Sequence, residues 1–222
     1  MAGPEESLRI DTVKGPVSAK YVRPPSPFAT IVVAHGAGAG MDHPFLVGFA
    51  RACADEGLAT LRFNFPYIES GRRSPDTEPV LRDTWRAAFE ATVTRRKKEP
   101  VWASGKSLGG RIASMSAADG GIAPAGLVFL GYPLHPPGRP ERIRDEHLYR
   151  IEVPMLFLQG TSDPFASPDL LARVVKKLGD RARLVPFDGA GHSFEVRGQK
   201  RDPREIGASL APHAAAFIRE HL

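Results

Sequence analysis

The sequence has little cysteine and no long apolar run. Its 222 residues include one cysteine, Cys53, so no disulfide can form within the chain, and we expect a reducing compartment. The longest apolar stretches, residues 125–130 and 31–34, fall far short of the roughly 18 residues that cross a bilayer. Residues 1–6 carry acid where a signal peptide needs base, and they lack its apolar region. These absences predict a cytoplasmic protein without a membrane anchor.

Charge of one sign is concentrated in only one short run. Lysine and arginine number 30 against 25 aspartates and glutamates, which gives a net charge of +5, but the two signs are interleaved. The basic run, residues 95–98, ends a predicted helix, where cations complement the helix dipole. No zinc-finger spacing, aromatic RNA-binding pattern or heptad repeat accompanies it. We therefore expect no nucleic-acid partner, and the short apolar runs predict no membrane partner either.

Short apolar runs alternate with helical stripes along the chain. The stripes repeat every fourth residue, as at Leu81, Trp85 and Phe89, so each can lie on a buried sheet. This alternation predicts an α/β protein. The predicted strands are residues 8–13, 19–22, 29–34, 59–65, 101–104, 125–130, 154–158 and 182–187. The first two form an antiparallel hairpin, and no linker or repeat divides the chain, so residues 1–222 are predicted to form one domain.

A strand runs directly into a helix through Gly105-Lys-Ser107-Leu-Gly109. This segment fits G-x-S-x-G, in which a serine occupies a strained turn and the flanking residues must be small so that the backbones can pass. Ser107 is therefore a candidate nucleophile at a helix N-terminus, where free amides favour a developing anion. A phosphate loop is rejected, because Pro100 stands where that motif needs glycine. An ordinary serine at a helix start stays open as the alternative.

Residues 35–41, His-Gly-Ala-Gly-Ala-Gly-Met, follow another strand directly. They fail as a dinucleotide fingerprint, because Met41 replaces the third glycine and the next strand ends at Asn64 instead of an acid. Glycines here allow backbone amides to approach a reacting oxygen, so an oxyanion loop is one interpretation. A flexible turn between strand and helix is the other. We favour the oxyanion loop because the serine turn follows later in the chain.

Two late strands are followed by glycine-rich turns that carry polar residues. Asp163 stands in the first turn and His192 in the second, where open α/β sheets place their sites. The order Ser107, Asp163, His192 is that of an α/β-hydrolase triad. Asp188 competes for the acid role, but its closeness in sequence to His192 suits an Asx turn or local cap better.

With these motifs the chain resembles the α/β-hydrolase superfamily, and especially the small lidless members near the dienelactone hydrolases. Residues 35–44 and 62–67 also resemble a subgroup that includes testis-expressed hydrolase-like proteins and a chromatin-complex subunit. The resemblance implies a three-layer fold with about eight mostly parallel strands, helices on both faces and no large cap domain. It implies Ser107 as nucleophile, Asp163 as acid and His192 as base, with the amides of Leu108 and Ala37 as the oxyanion hole. Dienelactone hydrolases have cysteine at the position of Ser107, which argues against dienelactone as the substrate.

The sequence thus predicts a serine hydrolase that cleaves a small carboxylic ester through an acyl-enzyme, with no metal or organic cofactor. A small peptidase or amidase shares this chemistry, and a non-catalytic protein-binding module of the same fold is the alternative from another class. Tyr67, Phe165 and Phe194 are predicted to wall the substrate crevice. Only about 20 residues, near 135–153, are available for a cover, too few for a helical cap. The oligomeric state is left open.

Overall fold

The structure is a computed structural model that describes residues 3–222. Met1 and Ala2 belong to the N-terminal segment in which no targeting signal is predicted, and they lie outside the described residues. Within residues 3–222, no helix combines the length and the apolarity that crossing a membrane requires.

Eight strands form one sheet across the described chain. They are β1 (Glu5–Ile10), β2 (Val17–Val22), β3 (Ala29–Ala34), β4 (Leu58–Phe63), β5 (Val101–Lys106), β6 (Leu127–Leu130), β7 (Met155–Gly160) and β8 (Ala182–Phe187). Their spatial order is β1-β2-β4-β3-β5-β6-β7-β8. The predicted hairpin of β1 and β2 is antiparallel and lies at one edge, and β3 to β8 run parallel to one another.

Seven α-helices accompany the sheet in the described residues. They are α1 (Pro44–Asp55), α2 (Pro66–Glu69), α3 (Glu78–Arg95), α4 (Leu108–Ala118), α5 (Pro168–Leu178), α6 (Pro203–Ala208) and α7 (Ala211–Arg219). Helices α1, α6 and α7 bury their apolar faces on one side of the sheet, and α3, α4 and α5 on the other. Because helices cover both faces, the parallel strands β3 to β7 are mostly apolar, and all their residues except Lys106 at the end of β5 are buried. The predicted three-layer α/β architecture is confirmed.

Two local features refine the predicted elements. The last helical stretch divides into α6 and α7, and Pro212 stands in the first turn of α7. Proline is tolerated there because the first amides of a helix have no helical acceptor. Cys53 faces the core from α1 and is fully buried. Burial raises the pKa of its thiol well above the usual range, so Cys53 is structural filler and not a reactive group.

Residues 135–153 form no cap domain. Their regular structure is one 3-10 helix, Glu146–Arg150. Leu148 and Ile151 point into the core and are buried. This segment is therefore packed against the domain and leaves the carboxyl edge of the parallel strands uncovered by any inserted helical layer.

The register of the sheet brings separate parts of the chain together at that edge. Ala34, the last residue of β3, lies opposite Gly105 near the end of β5. Gly160, the last residue of β7, lies opposite Phe187, the last residue of β8. The turns that follow these four strands therefore emerge at one edge, and together with the first residue of α4 they contain every predicted triad and oxyanion residue.

Candidate active site

Ser107 occupies a strained turn between β5 and α4. Its backbone has φ 49° and ψ −114°, a region that residues with a side chain rarely adopt. The flanking glycines are needed for close approach. A Cβ at Gly105 would lie 2.3 Å from the Gly110 amide nitrogen, and one at Gly109 would lie 2.6 Å from the His35 carbonyl oxygen. The strand, turn and helix around Ser107 thus have the geometry that its motif predicts.

His192 connects Ser107 to Asp163. Its Nε2 lies 2.8 Å from the Ser107 Oγ, and its Nδ1 lies 2.7 Å from the Asp163 Oδ2. Because a carboxylate accepts hydrogen bonds, the contact with Asp163 places the ring proton on Nδ1. Nε2 then has a free lone pair that can accept the serine proton. The arrangement is chemically competent for activating a hydroxyl as a nucleophile.

Asp163 is held in place by two further donors. The Phe165 amide donates to its Oδ1 at 2.8 Å, and the Gln159 side-chain amide donates to its Oδ2 at 2.5 Å. The Asp163 carboxylate is fully buried, so these bonds compensate for lost hydration as well as fixing its orientation. Sequence reasoning missed Gln159. The available signal was a lone polar side chain at the end of the apolar strand β7.

Asp188, the competing acid, lies elsewhere. It is exposed, and its Oδ1 accepts a hydrogen bond from the Thr161 hydroxyl at 3.5 Å. Its contact therefore joins the turns after β7 and β8, and the imidazole of His192 is paired with Asp163 instead.

The loop of residues 35–41 passes beside the serine. A Cβ at Gly36 would lie 3.7 Å from the Ser107 Cβ, and Ala37 lies on the same side of the loop as the cavity described below. Neither the Ala37 amide nor the Leu108 amide donates a hydrogen bond to another residue within 3–222. Leu108 is the first residue of α4, so its amide has no helical acceptor. Both donors are free to bind an oxygen at Ser107.

A cavity of about 440 Å³ opens beside Ser107 and His192. It is bounded by the loop 36–39, by the start of α1 and by Ser193. Phe165 lines it, with its ring centroid 4.3 Å from that of His192. No residue of 135–153 reaches it.

Two predicted wall residues do not line this cavity. Tyr67 is fully buried beneath the loop 35–41, where its hydroxyl binds backbone carbonyls. Phe194 is also buried and stacks on Phe45 at 5.9 Å between ring centroids. The prediction that Tyr67 and Phe194 wall the crevice is therefore wrong. Their aromatic rings are buried in the core, where they pack beneath the loops.

Lys106 is the formally charged side chain that lines the cavity. Its ammonium makes no hydrogen bond or ion pair with the described residues, and it lies near Gly131, where an added Cβ would be 3.5 Å from Nζ. Burial lowers the pKa of Lys106 to about 8, although Asp163 and Glu195 oppose that shift. Among residues 3–222, no three His, Cys, Asp or Glu side chains are grouped so that they could hold a metal ion.

Comparison with known proteins agrees with this architecture. A family model described as an alpha/beta hydrolase domain matches residues 27–219. The chain is similar to an α/β serine hydrolase without a lid from Xanthomonas campestris, with 23% identity, a TM-score of 0.75, and coverage of 98% of this chain and 95% of that one. It is also similar to an α/β serine hydrolase homologue from Coxiella burnetii, with 20% identity, a TM-score of 0.74, and coverage of 97% and 96%.

A third similar structure is a dienelactone hydrolase from Anabaena variabilis, with 21% identity, a TM-score of 0.75, and coverage of 99% of this chain and 98% of that one. At these identities the likeness concerns the fold, and it confirms the predicted resemblance to the small lidless branch. Because the family model spans most of the sequence, the chain belongs to the alpha/beta hydrolase domain family.

Proposed function

We propose that this protein is a serine hydrolase that cleaves a small carboxylic ester through an acyl-enzyme. The single observation that carries the proposal is the position of His192, within hydrogen-bond distance of both the Ser107 hydroxyl and the Asp163 carboxylate. A nucleophile, a base and a group that orients the base are together at the edge where the cavity opens. This is the constellation that acyl transfer requires.

In the proposed mechanism, the Ser107 Oγ attacks the ester carbonyl while the His192 Nε2 takes its proton. Asp163 holds the imidazole in the required tautomer and stabilises the imidazolium. His192 then gives the proton to the leaving alcohol, and the acyl group remains on Ser107. Water then gives a proton to the same imidazole and attacks the acyl-enzyme, and the imidazole returns that proton to the Ser107 Oγ as the acid is released. Each step of the proposed mechanism is assigned to a side chain or an amide of this chain, or to the attacking water.

The oxyanion formed in each half of the reaction needs donors that are already in place. The free amides of Ala37 and Leu108 are the proposed donors, since they flank Ser107 and have no other acceptor among the described residues. Each such donor contributes roughly 3–4 kcal/mol of transition-state stabilisation. The dipole of α4, whose N-terminus follows Ser107, acts in the same direction.

The size of the cavity supports small substrates. At about 440 Å³ it lies near the lower end of ligand pockets, and no helical cap extends it. Phe165 supplies an apolar wall next to the imidazole. Short acyl groups and small alcohols fit these boundaries better than long lipid chains. A small amide or peptide is the second substrate class that the same chemistry allows.

The intact geometry argues against a non-catalytic binding module. Such a module has no need for a strained serine, a paired imidazole and a buried carboxylate at one edge of the sheet, since buried charge and backbone strain both cost stability.

We also propose that residues 1–222 act as one domain in the cytoplasm. This setting is supported by the single, buried cysteine and by the scattered charge.

The test is turnover of p-nitrophenyl butyrate by the wild type, Ser107→Ala and Ser193→Ala. Ser193 is the matched control, because it is a second serine at the cavity and adjoins His192. We expect Ser107→Ala to lose activity by about 10⁶-fold, as when a triad nucleophile is removed, and Ser193→Ala to stay within tenfold of the wild type. Retention of a tenth of wild-type activity by Ser107→Ala would show that another group is the nucleophile.

A further inference from the structure

The peptide group between Gly36 and Ala37 has an unusual set of contacts. Its carbonyl oxygen, on Gly36, accepts hydrogen bonds from the His35 Nδ1 at 2.7 Å and from the Tyr67 hydroxyl at 3.2 Å. The same hydroxyl lies 3.1 Å from the Ala37 carbonyl oxygen, so its single proton is shared between the two carbonyls. Both side chains are fully buried. Two interior polar groups from different parts of the chain therefore converge on the peptide that carries the proposed oxyanion donor.

The tautomer of His35 follows from its second contact. The Phe65 backbone amide lies 3.0 Å from His35 Nε2, and an amide can only donate. Nε2 is thus the acceptor, and Nδ1 carries the proton that goes to the Gly36 carbonyl. Burial lowers the pKa of His35 to about 4, which keeps this neutral form at neutral pH. Edge-on packing against the Phe65 and Tyr67 rings, at 4.9 and 5.7 Å between centroids, holds the imidazole in position.

Fixing the carbonyl also fixes the amide. In a trans peptide the C=O and N–H bonds point in opposite directions within one plane, and the described chain contains no cis peptide. When His35 and Tyr67 hold the Gly36 oxygen in the interior, the Ala37 N–H must point the other way, towards the cavity that Ala37 lines. A carbonyl that accepts two hydrogen bonds also polarises its peptide, which strengthens the N–H as a donor.

From this geometry we propose that His35 and Tyr67 are positioning residues for the oxyanion hole: they hold the Gly36 carbonyl so that the Ala37 amide is aimed at the oxygen of the tetrahedral intermediate. This inference rests on the proposed function. It assigns a role to two side chains that make no hydrogen bond with Ser107. It also explains why a histidine and a tyrosine are placed in an interior where an unpaired polar group is costly.

The test compares Tyr67→Phe with Tyr132→Phe. Tyr132 is the matched control, because it is also buried and its hydroxyl also donates to a backbone carbonyl, that of Arg144, at 2.9 Å. Three quantities are measured for each variant: kcat and KM for p-nitrophenyl butyrate, the inhibition constant of a short trifluoromethyl ketone, and the melting temperature. The ketone forms a hemiketal oxyanion with the serine and so reports on the oxyanion hole.

Outright removal of an oxyanion donor costs roughly 10²–10³ in kcat, so loss of one of two groups that aim the donor should cost less. For Tyr67→Phe we expect kcat to fall about tenfold, KM to change less than threefold, and the ketone to bind about tenfold more weakly. Tyr132→Phe should lose thermal stability without either change. A purely structural role for Tyr67 predicts the same pattern as Tyr132→Phe, and that result would overturn the inference.

Two further variants decide the question if Tyr67→Phe does not fold. His35→Asn retains a side-chain N–H that can reach the Gly36 carbonyl, whereas His35→Leu of similar size has none. We expect the asparagine variant to retain at least tenfold more activity and ketone affinity than the leucine variant; equal values would overturn the inference. If the wild type turns over through Ser107 and these variants behave alike, the proposed function stands and only the positioning role fails. Absence of turnover in the wild type would instead contradict the proposed function.

Discussion

The His192 imidazole lies 2.8 Å from the Ser107 hydroxyl, although 85 positions separate the two residues in the chain. Ser107 follows β5 and His192 follows β8, and parallel strands in one sheet present their carboxyl ends at the same edge. In the sheet, β6 and β7 lie between β5 and β8. The turn after β8 extends across the ends of these two strands and so places the His192 imidazole at Ser107. Asp163 follows β7, between the turns of Ser107 and His192, and its carboxylate accepts the second hydrogen bond of the His192 imidazole.

The two candidate acids can be separated by substitution. Asp163→Asn leaves the size of the side chain unchanged but removes the charge that orients His192, and we expect kcat to fall by about 10⁴-fold. Asp188→Asn is the matched control, because among the described residues that carboxylate accepts a side-chain hydrogen bond only from the Thr161 hydroxyl. It should leave kcat within a fewfold of the wild type and act mainly on stability. Kinetics of both variants on p-nitrophenyl butyrate check this ranking, and the reverse order would move the acid role to Asp188.

Acyl-chain length tests the account of the cavity. With about 440 Å³ and no helical cap, the site cannot surround a long chain. We expect kcat/KM for p-nitrophenyl esters to be highest between acetate and butyrate and to fall by the twelve-carbon ester. A maximum at twelve carbons or more would mean that residues 135–153 or a second subunit cover the site in solution.

The partly buried side chain of Lys106 should make stability depend on pH in a definite direction. Burial lowers its pKa from 10.5 to about 8, so between these values the unfolded chain binds more protons than the folded one. The contribution of this group to the free energy of unfolding therefore rises with pH from 8 to 10.5. Below pH 8 the folded protein bears the full cost of the buried charge.

Lys106→Met keeps an unbranched side chain and removes that charge. We expect the variant to be more stable than the wild type at pH 7, and the difference to shrink as the pH rises from about 8 towards 10.5. Urea unfolding of both proteins at several pH values measures the difference in the free energy of unfolding. The contributions of groups that titrate alike in both proteins cancel in this difference. A variant that is less stable at pH 7, or a difference independent of pH, would contradict this account.

Much of the architecture was predictable from local patterns. Buried strands were visible as short apolar runs, and the serine, acid and base turns as glycine-rich segments at their ends. The direction of the aromatic side chains was not predictable. Tyr67 and Phe194 lie close in sequence to strand-end turns, but their orientation depends on how β4 and β8 pack against neighbouring elements. No local pattern in the sequence indicates such an orientation for a single residue.

The support of the site was the other part that the sequence left open. A single hydrogen bond joins Gln159 to Asp163, and another joins His35 to the Gly36 carbonyl. Such a contact depends on the register of neighbouring strands and on one rotamer, and neither has a periodic pattern in the sequence. The strand order, in which β4 lies between β2 and β3, likewise arises from tertiary packing.

The central claim is that Ser107 is the nucleophile activated by His192. The most direct measurement is mass spectrometry of the protein after reaction with a fluorophosphonate, which phosphonylates an activated serine. The account predicts one adduct per chain, located by peptide mapping at Ser107 and absent from Ser107→Ala, with much slower labelling in His192→Gln. Labelling of Ser107→Ala at the wild-type rate, or an adduct mapped to another residue, would contradict it.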